Sequence, residues 1–188
     1  MFAASTQIAP PGSAGAPTFD DPFGMLLACH EKMRRQLGTL ARLQRHLPEH
    51  GADAHARAAA SAILKYFDQA APNHHADEDA SLLPRVLARA PHLARTIEAI
   101  GVEHRTLERH WRKLRRVLSG IAAGRNEGLS PMLVRTVCEG YLAHLDREEI
   151  RLLPLAREYL DAEDVADIGR EFAARRGVEL GASPGPAL

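Results

Sequence analysis

Residues 74–84 (HHADEDASLLP) and 144–154 (HLDREEIRLLP) share a histidine, a glutamate four residues later, an acidic residue next to it, and Leu-Leu-Pro at matching positions. Residues four apart on a helix lie on one face, about 6 Å apart along its axis, so each stretch can turn a nitrogen and an oxygen toward one internal point. The sequence upstream repeats as well. His30 and His104 are each followed by an apolar residue three, seven and ten positions later. The pattern predicts two related halves about a pseudo-twofold axis.

Between the chain ends the helical period recurs in four long segments, and no stretch alternates with a period of two over a strand's length. Segment A opens at Asp21, a side-chain cap, with Pro22 at the first helical position, and is expected to stop near Leu47, ahead of Pro48 and Gly51. Segment B is predicted from about Asp53 to about Leu83, with a kink at Pro72, where an amide donor is lost. Segment C runs from near Pro91 to about Ala123, and segment D from Ser130-Pro131 to about Leu160. A fifth, shorter helix follows Asp161, with Asp164 completing an acidic first turn. Four long helices joined by short loops predict an all-α, up-down-up-down four-helix bundle with a short fifth C-terminal helix. Residues 1–19 and 177–188, rich in Ala, Pro, Gly and Ser, read as disordered, which leaves residues 20–176 as one domain around one core.

Each long helix then has one apolar stripe, and each stripe carries a histidine. The stripe of segment A is Phe23, Leu26, His30, Met33, Leu37 and Leu40; that of segment B includes Ile63, Phe67, His74, Glu78 and Leu82. Segment C contributes Ile100, His104, Leu107, Trp111 and Leu114, and segment D contributes Val137, Tyr141, His144, Glu148 and Leu152. A polar side chain buried without a partner costs on the order of 2–7 kcal/mol, and a charged one more. His30, His74, Glu78, His104, His144 and Glu148 therefore need a common partner, and divalent metal satisfies them all. Six such ligands are too many for one tetrahedral zinc and lack the thiolates of structural zinc sites. They suit two first-row ions bridged by the carboxylates, about 3.5–4 Å apart as in other two-metal sites. Mixed imidazole and carboxylate shells with open positions favour iron that meets dioxygen or nitric oxide, while manganese and zinc use the same ligand types.

Other function classes are disfavoured. Lys and Arg balance Asp and Glu at 24 each, so the whole-chain charge gives no attraction to nucleic acid or an anionic membrane. The basic run from Arg105 to Arg116 is interspersed with core positions and reads as a solvated helix face. Apolar stretches are too short to span a bilayer, and the N-terminus lacks a basic region ahead of an apolar core, so a cytoplasmic protein is expected. Two cysteines, Cys29 and Cys138, cannot form a disulfide framework, and neither belongs to a CxxC pair. H-E-x-x-H, G-x-S-x-G and P-loop patterns are missing, as is the Glu-x-x-His of ferritin-like di-iron bundles. His75 points about 100° away from His74 and is expected at the surface or as a supporting residue. Glu108 reads as a solvated helix glutamate paired with Arg105 or Arg112, and histidines 46, 50, 55, 92 and 110 fall off the stripes. Phe67, Trp111 and Tyr141 read as core aromatics, and Cys29 as a small buried thiol.

A lone histidine on the first helix, HxxxE followed by a Leu-Leu-Pro turn on the second, Glu-His on the third, and HxxxE with the same turn on the fourth resemble the hemerythrin-like, or HHE cation-binding, family over roughly residues 21–160. The resemblance implies that the family's iron ligands fall on His30, His74, Glu78, His104, His144 and Glu148, holding two iron ions with an oxo or hydroxo bridge. Oxygen-carrying hemerythrins have a second histidine on the third helix, where this chain has Glu108. Their fourth-helix carboxylate is an aspartate five residues after the histidine, whereas Glu148 comes four residues after His144. The set of four histidines and two glutamates is more similar to the di-iron proteins that answer nitric oxide and oxidative damage by repairing iron centres. The resemblance thus implies a protein that binds dioxygen or nitric oxide at an open iron position, in sensing, scavenging or stress protection. The alternative is an enzyme that reduces nitric oxide or peroxide with an electron donor, or that donates iron to damaged iron–sulfur centres.

Overall fold

The computed structural model describes residues 17–180 and is all-α. Its helices are α1 (Pro22–His50), α2 (Ala54–Asp77), α3 (Leu83–Arg89), α4 (Ala94–Ala122), α5 (Pro131–Arg147), α6 (Leu153–Tyr159) and α7 (Ala162–Arg175). Two π-helical segments, Glu78–Leu82 and Glu148–Leu152, join α2 to α3 and α5 to α6, so that four long rods form the bundle. Rod α1 packs on α2 and α5, and α4 packs on the same two. The expected caps are present. Asp21 accepts from the Gly24 amide at 2.9 Å, Asp53 from Ala56 at 2.7 Å and Ser130 from Leu133 at 3.4 Å, while Asp161 and Asp164 form a reciprocal capping box on α7. Such caps contribute about 1 kcal/mol each.

Proline placement departs from expectation. Helix α1 runs past Pro48 to His50 and ends at Gly51, whose positive φ of 61° closes the helix with its amide on the Leu47 carbonyl at 2.9 Å. Pro48 sits in the last turn, where its ring costs a single ladder bond. Helix α2 likewise continues through Pro72, and its departure from α geometry comes at Glu78 instead. Leu-Leu-Pro is not a turn in either copy. The Leu83 and Leu153 amides reach back five residues to the Glu78 and Glu148 carbonyls, and Pro84 and Pro154 follow with no amide to place. A missing donor at that point lets the ladder shift from π back to α register without orphaning an N–H.

The buried side chains form two apolar clusters. One contains Met33, Leu37, Ile63, Phe67, Leu107, Leu114 and Tyr141, and the other Phe23, Leu26, Leu82, Ile100, Leu152 and Phe172. His30, His74, His75, Glu78, His104, His144 and Glu148 form a buried polar layer at the sequence positions between them. Helix α7 lies against α1, α2 and the first π segment. Its Arg175 and Arg176 pair with the buried Asp77, and Arg175 also donates to Ser81 at 3.1 Å, so this helix grips the residues flanking Glu78. Asp77→Ala is expected to lower stability by about 1.5–3 kcal/mol, the range for hydrogen bonds to charged groups, in urea denaturation.

The segments expected to be disordered lie outside the described residues, apart from 17–19 and 177–180. Of these, Phe19 packs on the second apolar cluster, and a Cβ at Gly169 would meet its carbonyl oxygen at 2.0 Å. Among the described residues no helix is long and apolar enough to cross a membrane.

Candidate metal centre

All six residues singled out on the stripes are buried and meet at the polar layer. Their ligand atoms form two groups, His30 with His74, Glu78 and Glu148, and His104 with His144, Glu78 and Glu148, each within 4.8 Å throughout. Both glutamates belong to both groups. Each histidine faces inward through Nε2. The Nε2 of His30 is 3.2 Å from that of His74 and 3.2 Å from Glu148 Oε2, and His74 Nε2 is 3.6 Å from Glu78 Oε2. On the other side His104 Nε2 lies 3.4 Å from Glu78 Oε2, and His144 Nε2 lies 2.9 Å from Glu148 Oε1.

The close approaches to the two glutamates are not hydrogen bonds. Both oxygens of Glu78 and of Glu148, and the Nε2 atoms of His104 and His144, have no hydrogen-bond partner although they are fully buried. Such atoms are costly when unpaired. Lone pairs aimed at common points, with the carboxylates facing two groups at once, fit a pair of bridged cations. The donor set, nitrogen and oxygen without thiolate, fits first-row ions of intermediate hardness.

The outward nitrogens carry the rest of the design. His30 Nδ1 donates to Glu149 Oε1 at 2.8 Å, His104 Nδ1 to Asp79 Oδ1 at 2.8 Å and His144 Nδ1 to Glu103 Oε2 at 3.0 Å. A carboxylate only accepts, so each contact places the ring proton on Nδ1 and leaves Nε2 free to ligate. Arg34 clamps Glu149 at 2.7 and 3.1 Å, and Arg147 pairs with Glu103. Asp79 and Glu149 are the acidic residues that follow the two glutamates in the repeat. Each holds the histidine of the opposite half, through a pairing that sequence spacing did not disclose. The place matching Glu103 in α1 is occupied by Cys29, whose thiol meets the Tyr66 hydroxyl at 3.1 Å and is raised above its ordinary range by burial; His74 Nδ1 is left without a partner. Glu103→Gln is accordingly expected to weaken metal binding by about 10–100-fold in a chelator competition titration, the usual cost of losing an outer partner of a ligating histidine.

Electrostatics differ between the two glutamates. Burial and the neighbouring Glu148 charge push Glu78 well above the usual carboxylate range. Burial works the same way on Glu148, but the close imidazoles of His104, His144 and His30 outweigh it and hold that carboxyl well below. His104 is disfavoured as a cation by burial, yet Asp79, Glu148 and Glu78 together push it up to about 11. Burial holds His74 neutral, its pKa well below the ordinary imidazole value. With Glu78 raised and His104 pushed up to about 11, protons compete with cations for these two groups. Metal uptake is expected to release protons into weakly buffered indicator solution, and metal affinity is expected to fall as pH falls; proton-neutral uptake would contradict these assignments.

His75 is not at the surface. It is 4 % exposed, stacks on the His104 ring at 4.2 Å and 14°, lies edge-on to His144 at 5.9 Å, and forms a third group with those two histidines. Burial and the charges of His104 and His144 push its pKa down to about 3. The signal was present in the repeat, where His75 stands opposite the core residue Leu145. Glu108 is exposed, as are His50, His55 and His92; His46 is half-buried, 3.1 Å from Asp53, and His110 is half-buried. Phe67, Trp111 and Tyr141 are core, with ring contacts at 4.9 and 5.1 Å.

The profile described as Hemerythrin HHE cation binding domain matches residues 21–156. An uncharacterized protein of Haemophilus influenzae is 31 % identical over 162 residues, spanning 86 % of this chain and 94 % of that protein.

Proposed function

The chain belongs to the hemerythrin HHE cation-binding domain family, and from that premise we propose that it holds two iron ions and takes up a diatomic gas, dioxygen or nitric oxide, in sensing, scavenging or stress protection. The ligands are His30, His74, Glu78, His104, His144 and Glu148. One observation carries this assignment: the four oxygens of Glu78 and Glu148 are buried and unpartnered, and both residues belong to both groups.

Iron bound in such a shell supplies one-electron redox chemistry and an open coordination position. The chain's own residues do the rest. Glu149, Asp79 and Glu103 fix three imidazoles with Nε2 facing inward. Glu78 and Glu148, which belong to both groups, would hold the two ions jointly. The apolar clusters on either side, with Leu26, Ile100 and Leu152 in one and Met33, Leu107 and Tyr141 in the other, keep bulk water away, which favours a small uncharged ligand over a hydrated ion.

Metal analysis with the ultraviolet–visible spectrum of protein purified in air, before and after anaerobic reduction and addition of nitric oxide, tests the proposal. Two irons per chain, a near-ultraviolet charge-transfer band lost on reduction, and a new band with nitric oxide are expected. One zinc, or no metal and no response, would overturn it. Sustained consumption of nitric oxide or peroxide with an electron donor would make the same centre that of an enzyme.

A further inference from the structure

We infer that the cavity between α1 and α2 beside His74 binds a short-chain monocarboxylate, whose oxygens take the place that the Glu103 side chain fills in the other half. The ligating role of His74 rests on the di-iron assignment above. His30, His104 and His144 each give their outward Nδ1 to a carboxylate of the chain, at 2.8, 2.8 and 3.0 Å. His74 is 1 % exposed, and its Nδ1, on the far side of the ring from the inward Nε2, has no partner among the described residues. A buried polar atom in that state is costly. The repeat shows what is missing. In the second half His144, Glu103 and Arg147 join imidazole, carboxylate and guanidinium in one chain of contacts. In the first half Cys29 holds the place of Glu103, and its thiol meets the Tyr66 hydroxyl at 3.1 Å instead.

What stands beside Cys29 is space. A cavity of about 370 Å³ is lined by Cys29 and Lys32 of α1, Tyr66 and Asn73 of α2, and Arg176 just beyond α7. That is room enough for a small organic molecule. Its surroundings are positively charged. Lys32 is exposed and has no ion pair among the described residues, and Arg175 and Arg176 share the single carboxylate of Asp77, which leaves one guanidinium charge in surplus. Arg176 thus matches the part of Arg147 in the other half, and the Lys32 ammonium, the Asn73 amide and the His74 Nδ1–H supply further donors. A carboxylate, which only accepts, fits such a set. Met25 and Ala70 add apolar surface to the same cavity, which favours a short alkyl chain over a bare inorganic anion. A carboxylate held on His74 would raise its basicity as a ligand, so that carboxylate and metal tighten each other by the same factor.

Saturation-transfer nuclear magnetic resonance on the full chain, metal-free and loaded with cobalt(II), tests the assignment by reading the binding of butanoate and acetate at constant ionic strength. Wild type is expected to bind butanoate saturably without metal, roughly tenfold more tightly than acetate because of its two extra methylenes. Arg176→Gln is expected to weaken binding about tenfold, and Cys29→Glu, which copies Glu103 into α1, to abolish it. Circular dichroism identifies which variants are folded, and either one suffices. Butanoate is also expected to tighten one of two cobalt ions by about tenfold or more against a chromophoric chelator, and Cys29→Glu to show that gain without butanoate. No saturable binding, binding only when metal is present, or binding unchanged in the folded variants would overturn the carboxylate site. Binding that leaves both cobalt affinities unchanged would overturn its link to His74. A chain that binds butanoate with this dependence on Arg176 or Cys29 but takes up no cobalt would overturn the metal centre and leave the carboxylate site standing.

Discussion

Glu148→Ala is expected to empty both metal positions, while His74→Ala empties one. Glu148 stands in both groups of ligand atoms and approaches His30, His104 and His144 at 3.2, 3.5 and 2.9 Å, whereas His74 belongs to a single group. Removing an outer partner of a metal ligand costs about 10–100-fold in affinity, so deleting a shared ligand should exceed 100-fold at both positions. Metal counted per chain after desalting reads the difference directly. One ion retained in Glu148→Ala would mean that the carboxylates serve separate ions, and unchanged content in both variants would refute the site. Both variants should also lose stability, because the remaining buried groups are left without a counterpart.

Stripping metal from the wild type should produce the largest shift in thermal stability. An ion that binds only the folded state stabilises it by about 2.7 kcal/mol at a hundred times its Kd and about 4.1 kcal/mol at a thousand times. Two ions then contribute roughly 5–8 kcal/mol, and at about 2–4 °C per kcal/mol for a chain of this size the melting temperature should fall by about 10–30 °C. The effect should shrink as pH is lowered, since protons then compete with the cations for the buried carboxylates and imidazoles. Melting followed by circular dichroism, with and without chelator at fixed protein concentration, decides the matter. Coincident curves would show that the polar layer is satisfied by its own contacts.

Much of this was legible in the residues because it depends on local rules. Asp21-Pro22, Ser130-Pro131 and the Asp161–Asp164 pair mark helix starts by the hydrogen bonds their side chains can make. The six inward residues follow from periodicity alone, since a bundle must bury whatever lies on its stripes. The π segments were not legible, because the same residues satisfy α geometry until a missing amide at Pro84 or Pro154 meets the packing of a whole layer. The contacts of Asp79 with His104 and Glu149 with His30 join residues 25 and 119 apart in sequence, and only assembly of the four rods decides them. His75 was left between the surface and a supporting place for a related reason. A rotation of 100° from His74 leaves one side of α2 but arrives at α4, which covers that side too.

The crossed contacts make each half depend on the other. Glu149 orients a histidine of the first half, and Asp79 orients one of the second, so neither half can hold its own first histidine in place. Two copies of the first half, related by a twofold axis, could do it for each other. Each His30 would meet the other copy's Asp79, and together the pair would offer four histidines and two glutamates. Within the single chain the two halves do this for each other, and they differ where Cys29 stands against Glu103 and His75 against Leu145.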